Sequence, residues 1–90
     1  MTKALITVTG HDTTGIIARV ATKLYDSNIN ILDITQTILD GYFTMMMMVD
    51  LTNSKISFQE LLDAFKPVGE ELGMDIHIRR IDIFDAMHRI

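Results

Sequence analysis

The residues best suited to chemistry form one short polar stretch, Thr9-Gly10-His11-Asp12-Thr13-Thr14-Gly15, set between two apolar patterns. Gly10 and Gly15 allow backbone to approach a ligand closely. The free N–H groups at the start of the helix that follows, with the positive end of its dipole, suit a carboxylate. Asp12 can then hold an ammonium group, and Asn30, further along, offers both a donor and an acceptor. Plainer duties compete for the same residues. Asp12, Thr13 or Thr14 can cap the helix, Gly15 can let it pack tightly on a sheet, and Asn28 can be a left-handed helix end. His11 has no structural duty that the sequence reveals.

Other chemistries find no support. His11, His77 and His88 are too scattered to make a metal-spacing motif, there is no cysteine, and no cofactor fingerprint is present. Ser27, Ser54 and Ser57 lie outside any Gly-x-Ser-x-Gly elbow, so no nucleophilic triad is expected.

The elements that must position the polar stretch are legible from periodicity. Lys3 to Gly10 alternates as a strand with Ala4, Ile6 and Val8 on its core face. Ile16, Ile17, Val20, Ala21 and Leu24 make a helical stripe that ends near Asp26, with Arg19 and Lys23 turned outward. From Asn30 to Asp40 β-branched residues dominate, and Asp40-Gly41 predicts a two-residue hairpin turn. Phe43, Met45, Met47, Val49 and Leu51 then share the core side of the next strand. Ser57 with Glu60 opens a second helix carrying Phe58, Leu61, Leu62, Phe65, Val68 and Leu72, which Pro67 should kink or split and Gly73 should terminate. Met74 to Ile83 reads as the last strand, with a bulge or loss of pairing near Arg79-Arg80. Residues 84–90 read as a tail with a short amphipathic turn of helix.

This order predicts an α+β, ferredoxin-like βαββαβ sandwich: a four-stranded antiparallel sheet, ordered 4-1-3-2, with two helices on one face. The 90 residues make a single domain, its core spanning about 3–83. Leu5, Thr7, Tyr42, Thr44, Met46 and Met48 fall on the other, open face, which is too apolar to stay wet. A homodimer is expected, through stacked sheets or joined edge strands. A net charge of −4 argues against a nucleic-acid surface, and no apolar run is long enough for a bilayer, so a cytoplasmic protein is expected.

The stretch from Thr9 to Ile17, together with Asn28-Ile29-Asn30-Ile31 and Asp40-Gly41-Tyr42-Phe43, resembles the ACT domain family from about Lys3 to Ile83. It is most similar to small stand-alone ACT proteins and to the ACT domains of glycine-cleavage regulators and formyltetrahydrofolate deformylases. The resemblance implies an amino-acid effector site formed by the loop after the first strand and the start of the second strand, usually at a dimer interface. Carried over position by position, it singles out Gly10, His11, Asp12, Gly15, Asn30 and Ile31.

The function expected is therefore a non-catalytic regulatory module that binds a small metabolite, an amino acid by preference. It would act in trans on a metabolic enzyme or regulator, because the chain ends soon after its last strand. The alternative is a ligand-free dimer that only docks other proteins. Acylphosphatases share this topology, but they need an arginine and a glycine-rich anion cradle where this chain has Asp12. RNA-binding domains of this shape need more aromatics on the open face.

Overall fold

In the computed structural model, residues 2–81 are described. Strand β1 (Lys3–His11) runs through the interior of the sheet because it pairs antiparallel on both flanks, with β3 (Tyr42–Asp50) and with β4 (Asp75–Arg80). Strand β2 (Asn30–Leu39) pairs with the other flank of β3, so the order is β2-β3-β1-β4 and β2 and β4 are the edges. Helix α1 (Ile16–Asp26) joins β1 to β2, and α2 (Phe58–Leu72) joins β3 to β4. This is the ferredoxin-like βαββαβ arrangement expected, in the expected strand order.

The core follows the alternation. Ala4, Ile6 and Val8 of β1 and Phe43, Met45, Met47 and Val49 of β3 are buried against Ile16, Val20 and Leu24 of α1 and Leu61, Phe65 and Val68 of α2. Each large side chain in this set contributes about 1.5–3 kcal/mol of transfer free energy. Arg19 of α1 and Glu71 of α2 lock the helices on their outer side by a bidentate pair, Nε to Oε2 at 2.8 Å and Nη2 to Oε1 at 2.9 Å. The hydrogen bond and charge of each raise the Arg19 pKa and lower that of Glu71.

The local signals at the turns and at α2 hold. Asp40 and Gly41 take φ of 53° and 77°, as a tight hairpin turn requires. Ser57 Oγ accepts the Glu60 N–H, while the Ser57 N–H donates to Glu60 Oε1, a reciprocal capping box. Gly73, at φ 67°, ends the helix in the left-handed conformation.

Four expectations need correction. None of Asp12, Thr13 and Thr14 caps α1: the cap is Gly15, left-handed at φ 87°, with no side-chain hydrogen bond. Its carbonyl accepts the Arg19 N–H, while the Asp12 N–H instead extends the sheet to the Gly41 carbonyl. Helix α2 is one continuous element through Pro67, not two, and Val68 and Gly69 just beyond the proline are buried. Packing of the stripe outweighs the one lost donor. Strand β4 has no bulge at Arg79 and Arg80 but loses its pairing after Arg80, the second of the two expected irregularities, so the strand stops short of Ile81, and Ile83 lies outside the described residues. The bulge falls in β2 instead, between Ile31 and Asp33, where an edge strand has a free side on which to carry the extra residue. The tail at 84–90 also lies outside the described residues.

Candidate functional site

The loop that the sequence singles out leaves β1 at the end of the sheet where the β2–β3 hairpin turns. His11 stands opposite Tyr42 in the ladder, and the two rings stack with centroids 5.2 Å apart and planes 28° from parallel. The imidazole thus has a structural partner that sequence alone could not reveal, since the pairing depends on the long-range register of β1 on β3. Gly10 has a packing reason of its own. A Cβ there would lie 2.7 Å from Met74 Sδ and 3.1 Å from the Gly73 carbonyl, so any side chain would have to displace the Met74 thioether and press on the α2–β4 connection.

Five of the six residues named from the sequence divide among three cavities, and Ile31 lines none of them. Gly10 and His11 line the largest, about 500 Å³, which lies between β1, α2 and β4. Asp12 and Gly15 line a smaller one of about 210 Å³ at the start of α1, closed on its far side by Gln36 and Ile38 of β2 and by Phe43. Asn30 lines a polar hollow of about 230 Å³ at the other end of the sheet, with Tyr25, Asn28, Asp50 and Asn53. Ile31 is half-buried, paired with Val49 and packed against the core. From Asn30 to Ile38 the strand covers roughly 25 Å, so within one chain Asn30 and Asp12 do not meet.

Two neighbours of Asn30 have plain structural work. Asn28, left-handed at φ 59°, donates from Nδ2 to the Asn53 carbonyl at 2.8 Å, tying the end of α1 to the loop after β3. Asp50 accepts from the Thr52 hydroxyl at 2.6 Å and the Thr52 N–H at 2.9 Å. Those two bonds, in that order, hold its carboxyl below the ordinary carboxylate range.

What the sequence did not point to is the state of β2. Ile34, Gln36 and Ile38 stand opposite Met47, Met45 and Phe43, and so lie on the helix side of the sheet, yet all three are exposed. Ile38 is 53% exposed and Ile34 40%, and Ile17 of α1 beside them is also 40% exposed. Helix α1 leaves these side chains partly bare, and Gln36 and Ile38 of this edge line the cavity at the start of α1. The β-branched run was visible; that it is left exposed among the described residues was not. Among the described residues no three His, Cys, Asp or Glu side chains are placed to hold a metal ion, and no helix is long and apolar enough to cross a membrane.

Comparison with known proteins agrees with this architecture. A family model described as "ACT domain" matches residues 2–79. A UPF0237 protein of Bifidobacterium longum is 51% identical over 90 residues, covering all of both chains. The structure of an ACT domain protein from Streptococcus pneumoniae superposes with a TM-score of 0.81 at 43% identity, covering 92% of this chain and 93% of that one. A formyltetrahydrofolate deformylase from Pseudomonas syringae shares the fold, with a TM-score of 0.83 at 24% identity over 89% of this chain and 28% of that one. The chain therefore belongs to the ACT domain family, whose members are generally regulatory ligand-binding modules and not catalysts.

Proposed function

We propose that this protein is a cytoplasmic, non-catalytic sensor whose effector, a small amino acid, binds between two copies of the chain at the start of α1. The observation that carries this reading is the uncovered edge strand β2, with Ile34, Ile38 and Ile17 exposed beside a cavity whose rim holds Asp12, Gly15 and Gln36. An unpaired strand edge with an apolar flank is a seam for a second copy. A two-fold centred on Ile34 or Thr35 pairs β2 with its equivalent in antiparallel fashion. It brings the partner's Asn30 opposite the Ile38–Asp40 end, where the cavity opens. Residues that lie far apart in one chain then form one site.

In that site the N–H groups at the start of α1 take the effector carboxylate, Asp12 takes its ammonium, and the partner's Asn30 supplies a donor and an acceptor. A cavity of about 210 Å³ favours a small side chain. Because the effector touches both protomers, its binding favours one arrangement of the dimer over others, which an enzyme or regulator bound in trans can read.

Mixing two variants tests this. Asp12→Ala and Asn30→Ala damage opposite halves of the shared site, so each alone should lose the rise in melting temperature that an amino acid gives wild type. Mixed and allowed to exchange protomers, the two should regain part of that rise, because a heterodimer carries one intact site. Failure to regain it places the site within one protomer. No rise from any common amino acid with wild type favours a ligand-free docking dimer instead.

A further inference from the structure

The cavity of about 500 Å³ that Gly10 and His11 line is not used by the effector site just described. It lies between the C-terminal half of α2 and β4, at the opposite edge of the sheet from β2, with β3 and β1 intervening. At about 500 Å³ it is in the size range of small-molecule sites. Its floor is apolar: Leu62 and Phe65 of α2 face Ile76 and Ile78 of β4. Phe65 is buried, but Leu62, Ile76 and Ile78 are only half-buried although the isoleucines point to the helix side of the sheet.

The opening is not slack between loosely joined elements. The Met74 N–H donates to the Gly69 carbonyl at 2.9 Å, and glycine at 69 is what lets α2 come so close to the start of β4. The two elements are pinned at this end. Around the mouth stand Lys66 and Glu70, one turn apart on α2, and Asp75 at the start of β4. Among the described residues none of these three side chains makes a hydrogen bond or an ion pair, although both signs of charge line the same opening.

We propose that this cleft is a second small-molecule site, for a zwitterion with a sizeable apolar side chain, such as a large aliphatic or aromatic α-amino acid. Lys66 receives the carboxylate, and Glu70 and Asp75 receive the ammonium. The apolar side chain covers Leu62, Ile76 and Ile78, whose remaining exposure is the hydrophobic part of the binding. Two carboxylates against one ammonium make the site more tolerant of a ligand that has lost its negative charge than of one that has lost its positive charge.

The test is a titration of ¹⁵N-labelled protein with L-leucine, L-methionine and L-phenylalanine, followed by amide chemical shifts. The expected result is saturable shifts at Gly69, Gly73, Asp75 and Ile76 with at least one of them, at amino-acid concentrations up to about 10 mM, which covers affinities too weak for most other assays. Lys66→Ala and Asp75→Asn should each weaken binding about tenfold or more, the loss expected for one charge-assisted contact, while their spectra report that the fold is intact. Phenylalaninamide should still bind, and N-acetylphenylalanine should not. No saturable shift with any of the three overturns the proposal. So do shifts confined to α1 and β2, which would instead locate these ligands at the effector site, and so does binding indifferent to both charge substitutions.

Discussion

Replacing Ile38 by aspartate probes the β2 seam most directly. In the isolated chain Ile38 is 53% exposed, so roughly half of its side chain is what a second copy would remove from water. Full burial of an isoleucine contributes about 1.5–3 kcal/mol, which makes covering that half worth about 0.8–1.5 kcal/mol in each protomer. A two-fold interface counts the residue twice, so the loss is about 1.6–3 kcal/mol and the dimer Kd should rise roughly 15- to 150-fold. Repulsion between carboxylates adds to this. The half already covered by the fold costs the monomer about 1 kcal/mol, a fall in Tm of about 4–8 °C. Sedimentation equilibrium over a dilution series measures the Kd, with Met46→Asp as the companion. Met46 is 46% exposed on the open face of the sheet, and its replacement should leave an edge-joined dimer intact. If Ile38→Asp dimerises within about threefold of wild type while Met46→Asp dissociates, the copies stack sheet on sheet and the shared-site reasoning fails.

Gly69→Ala should destabilise the fold despite adding a better helix former. Alanine contributes up to about 1 kcal/mol in propensity, but its Cβ would sit 3.0 Å from the Met74 carbonyl oxygen, and Met74 is held in place by its own N–H, which donates to the Gly69 carbonyl. Overpacking there costs about 1–3 kcal/mol, and a urea titration should show a net loss of about 1 kcal/mol with the slope unchanged; a gain would mean that the start of β4 yields easily. Asp50→Asn should flatten the acid side of the stability profile. The Thr52 hydroxyl, and then its N–H, lower the Asp50 pKa. Stability from a carboxyl so depressed is present above its unfolded pKa and lost as pH falls through the folded one. Below about pH 4, where an ordinary aspartate begins to protonate, wild type should therefore lose Tm more steeply than Asp50→Asn; parallel curves would contradict that role.

Much of this molecule is dictated locally. The alternation at Ala4, Ile6 and Val8 and at Phe43 to Val49, the stripes of the two helices, the Asp40-Gly41 turn, the Ser57–Glu60 box and the Gly73 cap each follow from interactions within a few residues. With the order of elements, they determine a ferredoxin-like sheet, and the pattern from Thr9 to Asn30 points to the family. The tertiary structure decided what depends on contacts between distant segments. Register placed His11 on Tyr42 and gave its ring a partner. Pairing of Asp12 with Gly41 and a left-handed Gly15 displaced the side-chain cap of α1. A stripe with enough apolar packing carried α2 through Pro67. The extent of helix cover left β2 bare beside the start of α1 and opened a charged cleft along β4. Periodicity says which face a residue points to, but whether anything covers that face depends on the length and placement of elements far away in the chain.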